Sequence, residues 1–276
     1  MTKVMCKPVL SVEWDALVAA SPQGSIFSTT RWMNLFNTPY KLWGVYKGNE
    51  LIGGWGGFDE PQPLTPFQSI IIIEPMGMNY TSIMSRHIEV TKCLMSVLPK
   101  QFYNSYAYTD IRPFKWAKSW QVDIKYSYLV DISDMANLWH RMDKDARNAI
   151  NTAETLVAHQ CIESFIPLYS RVFTRKNIPI PVSDEFLMRF TDKMNPVIIG
   201  TSSTMAIAMQ DNKRAYYILG ASLGEGITPY VLWNLFVEMA ARTKEIDLCG
   251  ANDEKIALYK RAMGGKLISY LGVKRD

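Results

Sequence analysis

The stretch at residues 258–275, LYKRAMGGKLISYLGVKR, decides how the rest of the chain reads. It starts inside a short helix that carries Tyr259, Lys260 and Arg261. Gly264 and Gly265 stop that helix, and an alternating strand follows at once. The glycine pair ends the helix and lets the strand pack beside a neighbour. A tyrosine and two cations on the last turn before so abrupt a stop raise the question of what they face.

Working outward, the tail of the first half has a matching layout. RPFKWAKSWQVDIKYSYLVDI at 112–132 lines up with ALYKRAMGGKLISYLGVKR at 257–275. Before it come a helical spacing of Trp14, Leu17 and Val18, a short helix at 29–37 capped by Thr29 or Thr30, and two strands around a turn at 47–50. A loop at 61–66, a buried strand at 68–75, a break at 76–80, a helix over 82–98 and a strand at 102–111 follow. The second half repeats the order. Ser133 is expected to cap one long amphipathic helix over 134–156, followed by helices at 163–176 and, capped by Ser183, to Met194. An antiparallel meander at 196–223, a Gly-rich loop at 224–229, a helix, a short strand at 245–250, a helix and a final strand complete the chain. The expected fold is therefore α/β (α+β): two tandem copies of one unit, 1–131 and 132–276, each a mixed, mostly antiparallel sheet flanked by helices.

Composition narrows the function. Hydrophobic residues are 48% and charged residues 20% of the 276, a globular balance with ample material for a core. The net charge of +4 is spread: the first 130 residues carry 12 Lys/Arg against 9 Asp/Glu, the remainder 18 against 17. Neither half is the dense basic stripe of a phosphate-backbone binder. Cys6, Cys93, Cys161 and Cys249 stand far apart, with no CxxC and no grouped histidine, so no metal is expected. Scattered free thiols, no apolar leader and no transmembrane-length run point to the cytoplasm, with a place at the inner face of the membrane left open.

Five segments, taken in order, carry a resemblance. GSIFSTTRWMNLF (24–36), DIRPFKWAKSWQVDIKYSYLVDISD (110–134), RMDKDARNAINTAET (141–155), YYILGAS (216–222) and IDLCGAND…ALYKRAMGG (246–265) are similar to segments of the Fem-type proteins, built of tandem GNAT-like units. Fem-type enzymes add amino acids to cell-wall precursors, which implies a transferase of the bacterial cell envelope. Two features depart from the pattern. The inserted helical hairpin of tRNA-using Fem enzymes is missing, and GEGITPYVL stands where ordinary GNAT proteins have their acetyl-CoA loop.

The resemblance and the local chemistry nominate residues. Tyr259 occupies the position of the GNAT general acid, and its phenol, with an ordinary pKa of about 10, stays protonated at neutral pH. Lys260 matches a lysine common in Fem-type chains, there to hold an anion or balance charge on a carbonyl oxygen. Both also read as packing and solvated groups. Gly224, Gly226 and Thr228, the last expected as N-cap with Pro229 next, form a loop that can present N–H groups to a pyrophosphate. Substrate contacts are expected from Arg31, Trp32, Arg147, Arg175 and Asp247, each with a structural alternative: a solvated Arg beside a core Trp, an ion pair, a cation at a helix C-terminus, a strand-end cap.

The function implied is direct N-acyl or aminoacyl transfer to an amine, without a covalent enzyme intermediate. Acyl-CoA or aminoacyl-tRNA would be the donor, and a small molecule or envelope precursor the acceptor. A non-catalytic module of the same fold, binding a ligand or partner, is the alternative.

Overall fold

The hairpin expected near 41–58 forms in the computed structural model of the chain, whose described residues are 3–60, 62, 64, 70–73, 80–104, 120–224 and 226–275. They gather into two units: Met1–Lys125 with Ser269–Asp276, and Tyr126–Ile268. The expected division at 131/132 thus differs at both ends. The chain leaves the first unit within a strand, and its last strand returns there. The loop at 61–66, the ends of the 68–75 strand, the break at 76–80, the strand beyond Asn104 and the turn at 112–119 lie wholly or largely outside the described residues.

In the first unit, β1 (Val4–Pro8), β2 (Lys41–Lys47), β3 (Glu50–Gly57) and β4 (Ile70–Ile72) form an antiparallel sheet in that order. Gly48, at φ +64°, makes the β2–β3 turn. Both faces are covered, which is why the isoleucine run is continuous and not alternating. Ile70 and Ile72 join Val45, Ile52 and Trp55 against Val90 and Leu94 of α3 (Tyr80–Leu94). Ile71 faces the other way with Phe58, toward Trp14, Leu17 and Val18 of α1 (Ser11–Ala20) and Met33 of α2 (Thr30–Met33), which Thr29 caps. The glycines of GGWGG make room for Trp14. Its indole N–H donates to Ser28 O at 2.7 Å while its ring lies where a Gly56 side chain would stand. β5 (Gln101–Asn104) pairs antiparallel with the end of β12 (Lys266–Arg275), Phe102 opposite Val273. Leu271 and Val273 are buried in the cluster that holds Trp55.

The second unit takes the end of β6 (Trp120–Asp131) and adds β11 (Glu245–Asp247), β10 (Ala215–Ser222), β9 (Thr204–Gln210), β8 (Val197–Gly200) and β7 (Ala158–His159), side by side in that order. Every pairing is antiparallel except β10 with β11. α8 (Thr228–Ala240) lies on β8, β9 and β11 with α5 (Lys144–Asn151) against it, and α6 (Ile162–Lys176) lies on β10 beside α7 (Asp184–Met194). Val231, Leu232, Leu235, Phe236 and Met239 of α8 anchor the core together with Val130, Ile246 and Met263.

One expectation fails here. The single helix over 134–156 is two, α4 (Met135–Arg141) and α5. Met142 is buried at the break, and the Asp143 N–H leaves the helix to donate to Ala262 O at 3.0 Å. Packing and one long-range hydrogen bond outweigh helical continuity. The cap is Asp134, which accepts from Asn137 N at 2.9 Å. Ser133 instead donates its hydroxyl and N–H to Asp131 Oδ1.

Gly56→Ala is expected to destabilise the protein. The new methyl would stand 2.6 Å from the Trp14 ring, which is fully buried, so overpacking should cost about 1–3 kcal/mol. Urea denaturation reads this directly, and an unshifted midpoint would mean that the indole has room to retreat.

Candidate active site

Two parallel strands of the second unit run together only briefly. β10 pairs with β11 at Ala215↔Ile246 and Tyr216↔Asp247; β11 then ends, while β10 runs on to Ser222. Beyond Tyr216 no strand among the described residues pairs with the β11 edge of β10, so alternate N–H and C=O groups there face a gap. The paired end is locked. Buried Arg214 bridges to Glu245 at 2.8 Å, and the Tyr216 hydroxyl donates to Asp211 at 2.8 Å.

What bends the chain away after β11 is a buried cation. Lys260, on α9 (Glu254–Ala262), is 5% exposed. Its ammonium donates to three consecutive carbonyls, Leu248 O at 2.5 Å, Gly250 O at 2.6 Å and Cys249 O between them. The turn that supplies them is left-handed at Cys249, φ +48°, and at Gly250, φ +69°. Asp247 fastens its start, with Oδ1 accepting from the Ser127 hydroxyl and from Cys249 N–H at 2.8 Å. Burial lowers the Lys260 pKa, opposed by Cys249 and Asp247, and burial raises that of Asp247, opposed by those two hydrogen bonds and by Arg214 and Lys260. The ammonium's three N–H groups are thus already engaged, so the expected grip of Lys260 on an anion is not what this geometry offers. Asp247 likewise serves the turn; the cap of α9 is Asp253.

At the other end of the gap, β10 passes through Leu223, Gly224 (φ +90°) and Gly226 (φ +75°) into α8. The expected N-cap is displaced by one: Ile227 occupies it and Thr228 is the first helical residue, with Pro229 next. Thr228 uses its hydroxyl differently, donating to Ser222 Oγ at 3.1 Å. That oxygen also accepts from Gly224 N at 3.2 Å and lies 2.9 Å from Thr204 Oγ1. Arg175, at the end of α6, donates to Leu223 O at 2.5 Å and reaches Ser222 O at 3.5 Å. Its guanidinium holds the loop's carbonyls, while the Leu223 N–H donates to Ser203 O at 3.0 Å and the Gly224 N–H to Ser222 Oγ, which leaves the start of α8 as the end that favours an anion.

Between these features lies a cavity of about 350 Å³. β9 and β10 form one side, α8 and α9 another, and Val172 and Lys176 of α6 a third. Thr228, Tyr259 and Lys260 all line it, as do Ser222, Gly220 and Tyr217. The Tyr259 hydroxyl is buried and has no hydrogen-bond partner among the described residues. Burial and the neighbouring Tyr217 push its pKa well above 10. Tyr217 sits where pairing to β9 slips by one residue, between Tyr217 and Leu219.

Sequence reading did not assign Tyr217, Ser222 or Thr204. The YYILGAS segment was a signal for the first two, but the bulge that turns Tyr217 into the cavity has no local signature. Three nominated residues lie elsewhere. Trp32 is core of the first unit, edge-on to Phe27 at 5.0 Å and Phe36 at 5.9 Å, and Arg31 is exposed beside it. Arg147, half-exposed on α5, does not line the cavity.

No protein-family model and no curated protein sequence matches the chain. Solved structures do. The fold is similar to that of FemX, with a TM-score of 0.66 over 96% of each chain at 10% identity. It is similar to a tandem GNAT protein from the clavulanic acid biosynthesis pathway, at 0.56 over 99% of this chain and 98% of that one with 7% identity. A GNAT-family acetyltransferase from Colwellia psychrerythraea gives 0.55 over 99% and 100%, with 12% identity. The Fem-type, tandem GNAT-like resemblance read from the five segments therefore holds at the level of the fold.

Lys260→Met should cost about 3 kcal/mol, because three buried carbonyls lose their donor. Lys260→Arg should not restore it, since a planar guanidinium cannot converge on three carbonyls as an ammonium does. Chemical denaturation of both variants checks this; a stable Lys260→Met protein would mean that the turn holds without the cation.

Proposed function

We propose that the chain is an N-acyltransferase that joins an acyl thioester of the CoA type to an amine by direct attack. The observation that carries this reading is the buried Tyr259 hydroxyl, without a hydrogen-bond partner among the described residues, on a residue that lines the cavity between β9, β10, α8 and α9. The fold shared with GNAT and Fem-type structures supports it.

The parts suit such a donor. The free edge of β10 can pair with the amides of a pantetheine arm as an added strand would. The N-terminus of α8, at Thr228, offers the N–H groups and positive dipole end of a helix start, where a pyrophosphate is favoured, and Lys176 adds a cation on the wall. The amine nitrogen attacks the carbonyl carbon and loses a proton to solvent, the C–S bond breaks, and sulfur leaves as a thiolate that takes up a proton from solvent. A thiol ionises near pH 8.5, below a phenol. Tyr259, its pKa raised further by burial, thus acts mainly as a neutral donor to the departing sulfur, and keeps its own proton over the reaction as a whole. No covalent enzyme intermediate is needed; positioning and polarisation supply the rate.

In the described residues no helix is long and apolar enough to cross a membrane. We place the reaction in the cytoplasm, with a small molecule or an envelope precursor as amine acceptor.

Tyr259→Phe is the test. Removing a buried hydroxyl that lacks a partner should leave the melting temperature unchanged or raise it, while kcat with an acyl-CoA and an amine falls about a hundredfold. Thiol release followed with a chromogenic disulfide reads the rate, and thermal shift with acyl-CoA reads binding. Full activity in Tyr259→Phe would remove the assigned acid. No shift and no turnover with any acyl-CoA would leave a module that binds something else.

A further inference from the structure

We propose that Tyr217 is a second substrate-contacting residue of this cavity, donating its phenolic hydrogen to the carbonyl oxygen of the acyl thioester; this rests on the acyl-transfer reading above. Three observations place it. The pairing slip between Tyr217 and Leu219 falls just past the last β10–β11 pair, Tyr216↔Asp247, so the residue stands where the gap begins. Its hydroxyl oxygen lies where a Gly220 side chain would be: a Cβ there would stand 1.9 Å from it. Both residues line the cavity. The hydroxyl therefore occupies the point on β10 where no side chain separates the strand from a ligand.

The surroundings fit a neutral donor. Burial alone pushes the Tyr217 pKa up to about 12, without a hydrogen bond or charge among its causes. The Lys260 ammonium, 6.0 Å from the ring centroid, keeps positive charge near the point where an oxyanion would form, although its own N–H groups serve the β11–α9 turn. When the amine attacks, the carbonyl oxygen gains negative charge and accepts a stronger hydrogen bond from the phenol; when the C–S bond breaks, that charge returns to the carbonyl. The Tyr217 proton is not transferred. Tyr217 thereby serves the oxygen while Tyr259 serves the sulfur, and Gly220 is the position that gives the Tyr217 hydroxyl its seat.

The experiment uses two unreactive donor analogues, a ketone that keeps the carbonyl in place of the thioester and an S-alkyl CoA that lacks it, titrated calorimetrically into the wild-type chain and Tyr217→Phe. Tyr217→Phe should weaken the ketone about fivefold and leave the S-alkyl analogue unchanged, and in turnover kcat/KM for the thioester should fall by clearly more than about fivefold, because the contact strengthens as charge develops. Equal effects on both analogues, or none, with wild-type binding intact, would overturn the role of Tyr217 and leave the acyl-transfer reading standing. Failure of the wild-type chain to bind either analogue would overturn both. If Tyr217→Phe lowers the melting temperature, the comparison between analogues still decides, because a general loss of structure weakens both together.

Discussion

A single buried ammonium sets the geometry of the second unit. Lys260 gathers the carbonyls of Leu248, Cys249 and Gly250, which curls the chain away as soon as β11 ends. An isolated buried cation would be costly. Here three backbone acceptors replace its water shell, and Asp247 adds a neighbouring negative charge. At the opposite end Arg214 and Glu245 tie β10 to β11. One end clamped and one end turned aside part the parallel strands, and β10, freed of its partner, lines the cavity together with β9, α8 and α9.

The same arrangement gathers hydroxyl groups along one cavity. Most buried donors in a folded protein have partners. The Tyr259 hydroxyl has none among the described residues, and its wall also holds the Tyr217 phenol and the Ser222–Thr204–Thr228 hydroxyl cluster. Arg175 is turned onto loop carbonyls and Lys260 onto turn carbonyls. These two nominated cations thus hold backbone carbonyls, and the wall carries hydroxyl side chains together with Lys176.

Much of this was legible in the residues, for physical reasons. Thr29, Ser183 and the periodicity of Trp14, Leu17 and Val18 are local signals, because a cap or an amphipathic face depends on residues within one or two turns. The isoleucine run announced a buried strand. The short helix carrying Tyr259 and its stop at Gly264 followed from glycine punctuation. What failed was non-local. Nothing near Met142 shows that its burial and the Ala262 carbonyl will break a helix whose local pattern is continuous. Thr228 reads as a cap until Ser222 is brought within reach of its hydroxyl.

The sequence by itself determined the element order, the tandem layout, the mixed sheet and the presence of Tyr259 and Lys260 on one short helix, since these rest on periodicity, caps and glycine punctuation along the chain. Only the tertiary structure decided what those side chains do. Whether Lys260 meets an anion or three carbonyls, whether Tyr217 points into a wall or a cavity, and where the last strand pairs all depend on groups far away in the chain. Energies of burial and hydrogen bonding are fixed by who the neighbours are, and neighbours exist only once the chain has folded.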